Sequence, residues 1–176
     1  GGPPDELDAA FAPLCPVVRK AVGFIRRERR WPMFDRLPIP SWTSGRITLL
    51  GDAAHPMLQY IAQGACQAFE DAYILARWLE AHPDPVEAFA NFRRIRIPRV
   101  HGVQRLSFSN ARFKHMRDSA AQKELVASGK SSVHGNSDWV WGYDPVGGWD
   151  QQPVVPSVYA VDVGSGASYL SESPRS

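Results

Sequence analysis

The sequence contains little of what marks a secreted, membrane-bound or metal-binding protein. It has only two cysteines in 176 residues, Cys15 and Cys66, which lie too far apart to suggest a disulfide framework or a metal site. Charge or proline interrupts every apolar run well before the roughly 18 residues that a membrane span requires. The chain does not open with a basic stretch followed by an apolar one, so we expect no signal peptide. These absences favour a cytoplasmic protein that does not bind membranes.

An excess of charge is also lacking. Lys and Arg number 20 and Asp and Glu number 18, which gives a formal net charge of +2. Two basic stretches, 25–30 and 93–99, are interleaved with apolar residues at helical spacing, and the whole chain is nearly neutral, so we predict no nucleic-acid partner. The histidines never approach the spacing of metal ligands, and we predict no metal site; they are residues 55, 82, 101, 115 and 134.

The residues that are present predict helices with a small contribution from strands. Apolar residues make up 44% of the chain, which is enough for a sizeable core. Acids followed by apolar residues at helical spacing, and then Pro16, predict two short helices before Arg30. Segment 29–42 alternates bulky apolar residues with Arg, Asp and Pro, which favours an edge strand. The β-branched and apolar run 46–50 predicts a short buried strand that ends at Gly51.

Longer helices are predicted in the chain that follows. Small and apolar residues recur with a period of 3.6 and predict a helix from about Gln63 to Glu80. The residues that define this face are Ala65, Ala68, Phe69, Ala72, Leu75, Ala76 and Leu79. Asp84 is placed to cap the next helix, which we expect Pro98 to kink or break before a further helix ends at about Met116.

The stretch LLGDAAHPMLQYIAQGACQAFEDA (49–72) carries the features of a ligand site. Gly51 lets the chain leave the predicted strand at dihedral angles that other residues resist, and it lets a ligand approach the backbone closely. Asp52 presents a carboxylate at the carboxyl end of that strand, where open α/β sheets usually bind ligands and where a sugar-like hydroxyl is a natural donor. Unpaired N–H groups at the helix start around Gly64 favour negative charge at the same place.

This stretch resembles the second FAD-binding motif of the single-component, flavin-dependent aromatic hydroxylases, a family that includes para-hydroxybenzoate, salicylate and 3-hydroxybenzoate hydroxylases. The matching residues are Gly-Asp-Ala-Ala-His-Pro (51–56), Gly64 and Glu-Asp-Ala (70–72). The resemblance implies that Asp52 holds a ribityl hydroxyl of FAD, and that the backbone at the helix start contacts the isoalloxazine ring. The FAD-binding residues implied in this way are Gly51, Asp52, Gln63, Gly64, Ala65 and Cys66.

The sequence of the loop between the Gly-Asp turn and the predicted helix suggests which substrate is hydroxylated. Leu-Gln-Tyr (58–60) followed by Ala-Gln-Gly (62–64) looks most like 3-hydroxybenzoate 6-hydroxylases and their salicylate hydroxylase-like relatives. That likeness implies that Gln59 orients the substrate or flavin, with Tyr60 as a second candidate, and simple loop packing is the alternative for both. The implied reaction is hydroxylation of a phenolic aromatic acid with FAD, NADH or NADPH, and O2. The specific expectation is 3-hydroxybenzoate to 2,5-dihydroxybenzoate (gentisate), and salicylate 1-hydroxylation is the runner-up.

One feature of such enzymes is missing from this sequence. They bind the ADP half of FAD with G-x-G-x-x-G after their first strand, and the chain has no such element in that position. We therefore expect the C-terminal part of a longer, Rossmann-like α/β monooxygenase, mostly helical by residue. The alternative from a different class is a non-catalytic, truncated remnant. The family's C-terminal helices often pack between subunits, which implies a homodimer.

The resemblance also divides the chain into expected parts. Residues 1–45 end the substrate-binding region, 46–82 form the FAD-binding segment, and 151–176 form a flexible tail. Residues 83–150 hold the C-terminal helices and the aromatic stretch WVWGYDP (139–145), which is similar to the end of the family's chains and is interpreted as a packing element.

Plainer interpretations stand beside these assignments. Asp52 alone has the spacing of a turn or helix cap. His55 has no evident partner nearby in sequence, so we favour a loop-ordering role over that of a base or ligand. Glu70 and Asp71 fall on the predicted helix away from its small face, and we expect them to be solvated or paired with a nearby arginine.

Overall fold

The structure is a computed structural model that describes residues 5–29, 31–116, 119–127, 138–157 and 159. The chain divides into two units, residues 1–33 and 34–176, and each is described by itself. The division into functional parts that the sequence suggests concerns roles and stays a prediction. Of the expected flexible tail, residue 158 and all residues from 160 onward lie outside the described residues.

The first unit contains two short helices, α1 (Glu6–Phe11) and α2 (Pro16–Val22), which confirms the prediction for this segment. Pro16 is the first residue of α2, where its missing N–H costs no hydrogen bond. Asp8 accepts two hydrogen bonds from Arg27, of 2.5 and 2.7 Å, and the hydrogen bond from Arg27 lowers the pKa of Asp8. The pair is solvated, so it contributes little to stability.

The second unit opens with an antiparallel hairpin of two very short strands. β1 (Thr43–Ser44) pairs with β2 (Ile47–Thr48), and Thr43 lies opposite Thr48. The turn between them passes through Gly45 at a φ of +55°, a conformation that glycine adopts without strain.

The strand predictions are largely wrong. The predicted strand 46–50 is reduced to two residues and is not buried, since Ile47 is 70% exposed. No strand forms within residues 31–42, so the predicted edge strand is also absent from the described part of that segment. The physical reason is that this hairpin has no third strand beside it among the described residues, and two strands alone gain few of the cross-strand contacts that extend a sheet.

Helix α3 (Gly64–Ala81) has the predicted bounds to within one residue, but it buries a different face. Its buried residues are Gln67, Asp71, Ile74 and Trp78. The apolar face indicated by the periodicity is mostly exposed, with Phe69 76% exposed and Leu79 43% exposed. The opposite face turns inward because its acidic residues pair with arginines of the next helix, as described below.

Helix α4 (Pro85–Lys114) begins at the predicted residue, but it is not broken at Pro98. Asp84 caps it by accepting a hydrogen bond of 3.0 Å from the backbone N–H of Val86. The helix continues through Pro98, so the predicted break is wrong. A proline leaves the carbonyl four residues earlier without its helical donor, and the side-chain amide of Gln152 donates to that carbonyl, on Arg94, at 3.2 Å.

The core lies around the middle of α4. Its larger apolar cluster consists of Trp42, Ala54, Ile74, Trp78, Ala88, Phe92, Ile95, Ile97 and Val100, and a smaller one of Val103, Leu106 and Val140. Two further helices are α5 (Ser119–Ala127) and α6 (Asp138–Trp141). The chain after α6 approaches α4 closely at Gly102, where a Cβ would lie 2.7 Å from Cγ1 of Val155.

Taken by residue, the described chain is mostly helical with a small sheet, which agrees with the predicted fold class. Within the described ranges, no helix combines the length and apolarity needed to cross a membrane.

A buried histidine makes the stability of this core depend on pH. His101 lies on α4 beside Trp42, with ring centroids 6.4 Å apart. Burial, with a contribution from nearby His55, lowers the pKa of His101 to about 4, against a weaker opposing effect of the Ile39 backbone. In an unfolded chain a histidine titrates near about 6.5. Between these two values the unfolded chain binds the additional proton, so stability falls as the pH falls.

We expect this histidine to lower the free energy of unfolding by about 2 kcal/mol between about pH 7.5 and pH 5. The variant His101→Gln cannot titrate, so most of that decrease should disappear. The matched variant His82→Gln changes a partly exposed histidine and should keep it. Urea unfolding at both pH values measures the difference, and an equal decrease in His101→Gln and the unchanged protein would contradict the assignment.

Candidate functional site

The Gly-Asp turn lies against the first part of α3. Gly51 turns the chain at a φ of +56° into a short 3₁₀ turn, Gly51–Ala53. A Cβ on Gly51 would lie 3.3 Å from the Cβ of Ala68, so the backbone here rests almost directly on the helix. Glycine therefore suits this position for two reasons, the left-handed backbone and the close approach to α3.

The next residue along the chain is Asp52. It is exposed, and among the described residues its carboxylate accepts no hydrogen bond. It caps neither the 3₁₀ turn nor α3, both of which lack a side-chain cap. The capping alternative for Asp52 therefore finds no support in the described residues, and the carboxylate is available to a ligand.

A buried carboxylate on α3 holds both ends of the turn. Oδ2 of Asp71 accepts hydrogen bonds from the backbone N–H of Gly51 at 2.9 Å and from Nε2 of His55 at 2.6 Å. Oδ1 of Asp71 accepts from Nε of Arg96 at 2.8 Å. The side chains of Asp71, His55 and Arg96 are at most 1% exposed. Burial by itself would raise the pKa of Asp71, but His55, Arg96 and the Gly51 N–H together lower it, so the carboxyl is ionised at neutral pH.

His55 is thus tied to α3 rather than left in the loop. Since an ionised carboxylate can only accept, Nε2 of His55 carries the proton in this hydrogen bond. The contact agrees with the loop-ordering role that the sequence favours. Its partner is 16 residues away in the chain, which is why sequence inspection did not identify it.

The neighbouring acid, Glu70, completes the ionic cluster. Glu70 accepts hydrogen bonds from Nε and one terminal nitrogen of Arg99 at 2.7 and 2.8 Å, and another from Arg96 at 2.5 Å. Of the two alternatives for these acids, pairing with arginine is therefore correct and solvation is not. Two carboxylates and two guanidinium groups balance in charge, which reduces the cost of burying them.

The aromatic stretch 139–145 packs on the same cluster, as the sequence suggests. Arg99 donates to the carbonyls of Trp139 and Val140 at 2.7 and 3.0 Å. Its guanidinium lies 4.0 Å from the centre of the Tyr143 ring, a cation–π contact. These contacts anchor the stretch to α4 and make it a structural element.

The start of α3 offers backbone donors to a ligand. The first helical hydrogen bond that follows residue 63 runs from the N–H of Gln67 to the carbonyl of Gln63, so Gly64, Ala65 and Cys66 have N–H groups without a helical acceptor. Ala65 and Cys66 are exposed. The side chain of Gln63 is buried and bonds Gln67 at 3.2 Å, so only its backbone is available. The helix dipole of this 18-residue helix favours negative charge at the same end.

The loop between the turn and α3 is fastened to α4 by its carbonyl groups. The carbonyls of Pro56, Leu58 and Tyr60 accept hydrogen bonds from Gln104 (3.2 Å), Ser107 (2.7 Å) and Lys114 (3.1 Å) respectively. Beside this loop lies a cavity of about 260 Å³. Its lining comes from residues 35–38, 56–58, 104, 107 and 108.

The two predicted substrate residues, Gln59 and Tyr60, differ in their surroundings. Gln59 is exposed and its side-chain amide has no partner among the described residues. The hydroxyl of Tyr60 forms a 2.6 Å hydrogen bond with Nε2 of His115, just after the end of α4. Gln59 is thus available to a ligand, whereas Tyr60 is engaged in fastening the loop.

The described residues contain no group of three or more His, Cys, Asp or Glu side chains arranged to hold a metal ion. The polar groups that the structure does gather are the turn, the helix start and the buried ionic cluster between α3 and α4. The cluster is the part that sequence reasoning underestimated. Its signal is an acidic pair on one helix and regularly spaced arginines on the next.

Comparison with known proteins shows which family this chain resembles. Residues 17–85 match the family described as FAD binding domain. The chain is 38% identical over 152 residues to 3-amino-4-hydroxybenzoate 2-monooxygenase of Streptomyces platensis, which covers 86% of this chain and 37% of that protein. It is 48% identical over 100 residues to 3-hydroxybenzoate 6-hydroxylase 2 of Aquipseudomonas alcaligenes, covering 56% of this chain and 31% of that enzyme.

A solved structure shows the same likeness in three dimensions. HpxO of Klebsiella pneumoniae, crystallised with FAD and uric acid, superposes with a TM-score of 0.63 at 26% identity, over 76% of this chain and 38% of that one. The chain therefore spans less than two fifths of the length of these relatives. The resemblance inferred from the Gly-Asp stretch is confirmed, and the chain belongs to the family of FAD-dependent aromatic hydroxylases.

Proposed function

We propose that the complete protein carrying this chain is an FAD-dependent monooxygenase that hydroxylates a phenolic aromatic acid, with NADH or NADPH and O2 as co-substrates. The observation that carries the proposal is the exposed Asp52 carboxylate, held on a glycine turn against α3. Bound FAD would supply the reduction of O2 and the transfer of oxygen to the ring. The residues of this chain would bind the cofactor, orient the ring and keep water out.

The residues present fit a flavin. Asp52 offers an acceptor to a ribityl hydroxyl, because none of the described residues bonds its carboxylate. The N–H groups of Gly64, Ala65 and Cys66 offer donors to the electron-rich edge of a flavin ring, and the helix dipole favours the negative charge of its reduced form. Gly51 and Gln63 would take part through the backbone alone.

For the substrate we propose 3-hydroxybenzoate, converted to gentisate. Three relatives bear names that refer to 3-hydroxybenzoate, 3-amino-4-hydroxybenzoate and 6-hydroxynicotinate, which share an aromatic ring, a hydroxyl group and a carboxylate. The Leu-Gln-Tyr and Ala-Gln-Gly steps favour the first of these. Salicylate is the second candidate, and a non-catalytic remnant is the alternative to any activity. A cytoplasmic location and a homodimer stay predictions from the sequence.

We expect Asp52→Ala to weaken FAD binding by about 10- to 100-fold, because it removes a charged acceptor worth roughly 1.5–3 kcal/mol. The matched variant Glu80→Ala removes an exposed acid near the other end of α3 and should leave affinity unchanged. Titration of the complete protein, purified without its cofactor, with FAD measures the affinity of both variants through the change in flavin fluorescence. Equal affinity of the Asp52→Ala variant and the unchanged protein would rule out the proposed contact.

The activity itself is tested with the complete protein, FAD and a panel of aromatic acids. We expect NADH or NADPH oxidation coupled to a hydroxylated product with 3-hydroxybenzoate, and slower or uncoupled oxidation with salicylate, 3-amino-4-hydroxybenzoate and 6-hydroxynicotinate. Product identification by chromatography is essential, since cofactor oxidation alone can be uncoupled from hydroxylation. Salicylate turnover without 3-hydroxybenzoate turnover would replace the proposed substrate, and a protein that binds no flavin would favour the remnant.

Substitutions of the two loop residues, Gln59 and Tyr60, should have different effects on KM for the aromatic acid. Gln59→Ala is expected to raise KM for the aromatic acid about tenfold with little change in FAD affinity, since it removes one hydrogen-bonding side chain that is open to a ligand. Tyr60→Phe should change KM less than about threefold, because the Tyr60 hydroxyl is already bonded to His115. Steady-state rates over a range of substrate concentrations decide between them. The opposite order of effects would assign the substrate contact to Tyr60.

A further inference from the structure

We propose that Asp71, a residue that would not touch the flavin, is the positioning residue that presents Asp52 to FAD. The inference rests on the proposed function, because it assumes that Asp52 contacts the cofactor. It begins from the three donors on one buried carboxylate: the N–H of Gly51, Nε2 of His55 and Nε of Arg96.

The two donors on Oδ2 lie on either side of Asp52 in the chain. Gly51 immediately precedes Asp52, and His55 follows it by three residues, so one oxygen atom holds a backbone N–H before the exposed carboxylate and an imidazole side chain after it. Ala68 and Asp71 are three residues apart on α3 and therefore share a face. Ala68 sets how closely Gly51 approaches that face, and Asp71 sets the direction of its N–H.

The same carboxylate is connected to the start of α3 by buried side chains. Arg96 bonds Oδ1 of Asp71 at 2.8 Å, and its terminal nitrogen donates to the side-chain oxygen of Gln67 at 2.8 Å. Gln67 in turn donates to the side-chain oxygen of Gln63 at 3.2 Å. A continuous chain of hydrogen bonds therefore joins the Gly51 turn to the helix start, the two places that would hold one flavin. Such a connection fixes their separation before the cofactor binds, which is how preorganisation favours affinity.

Other contacts also hold the turn, and they show what Asp71 adds. Arg36 donates from one terminal nitrogen to the carbonyls of Ala53 and Ala54, both at 2.9 Å. Those bonds fasten the turn after Asp52 from the side of the preceding segment. Among the described residues, Asp71 is the side chain that bonds the N–H of Gly51, directly before Asp52.

The test is a double-mutant cycle on FAD affinity in the complete protein, with Asp71→Asn, Asp52→Ala and the double variant. Asp71→Asn keeps the shape of the side chain but cannot accept all three hydrogen bonds, so we expect the Kd for FAD to rise about tenfold. If Asp71 acts through Asp52, the Kd of the double variant for FAD should exceed the higher of the two single-variant Kd values by no more than about threefold. If the two residues act independently, their fold-changes should multiply, and that result would overturn the inference.

A matched control separates positioning from a general loss of the buried cluster. Glu70→Gln removes a carboxylate charge from the same cluster; Glu70 bonds Arg96, Arg99 and Gln67 but touches neither Gly51 nor His55, and glutamine keeps the side-chain oxygen that accepts from Gln67. We expect it to change the Kd for FAD less than about threefold, and to leave the absorbance spectrum of the bound flavin as it is in the unchanged protein. Asp71→Asn, saturated with FAD, should instead give a shifted spectrum. An equal loss of affinity in both variants would make Asp71 a purely structural residue.

A second variant covers the case in which Asp71→Asn does not fold. His55→Gln removes one of the two links to the turn and leaves the Asp71–Arg96 pair intact, so we expect about a threefold rise in Kd on its own. In the Asp52→Ala background the same substitution should leave the Kd unchanged. Multiplicative effects here would also overturn the inference. The proposed function fails separately: if the unchanged protein binds no FAD, the cofactor assignment is wrong, whereas normal FAD binding by Asp71→Asn removes only the positioning role.

Discussion

The ion pair between Asp71 and Arg96 is the interaction on which the described structure most depends. Both side chains are completely buried, and a buried charge that loses its partner destabilises a protein by about 3–5 kcal/mol. The two helices therefore have to meet at this pair. That requirement orients α3, brings its acidic face onto α4 and leaves Ala65, Ala72 and Ala76 of the opposite face exposed. It also decides where the Gly51 turn can rest, because the turn shares the same carboxylate.

Features that depend on neighbouring residues were predictable from the sequence. The two short N-terminal helices, the bounds of α3 and the Asp84 cap of α4 each follow from a proline, a capping residue or a repeated apolar spacing. Features that depend on distant residues were not. The continuity of α4 through Pro98 is accompanied by a hydrogen bond from Gln152, 58 residues beyond the carbonyl of Arg94 that it satisfies. No local pattern contains that partner.

The buried face of α3 is a second feature that depends on a distant residue and could not be predicted from the sequence. Apolar periodicity selects Ala65, Phe69, Ala72 and Leu79, and by hydrophobicity alone this face belongs inside. The structure instead buries Asp71, because Arg96 lies 25 residues away in sequence and 2.8 Å away in space. A sequence shows that acids and arginines are present at helical spacing, but not which of them meet. The candidate site divides in the same way: its motif identifies the flavin family, whereas its anchoring is visible only in three dimensions.

Anchoring by a carboxylate suits a turn that, under the proposed function, presents the Asp52 side chain to a cofactor. The residues around Asp52 are Gly51, Ala53 and Ala54, which offer little apolar area and so gain little from packing. A hydrophobic anchor would require larger side chains at the place where, under the proposed function, a flavin would approach the backbone. The buried carboxylate of Asp71 accepts from the backbone N–H of Gly51 and so fixes the main chain from the side of α3. Under the proposed function, the small residues around Asp52 would leave room for a ligand. The buried charge of Asp71 holds their backbone in place, which larger side chains would otherwise have to do by packing.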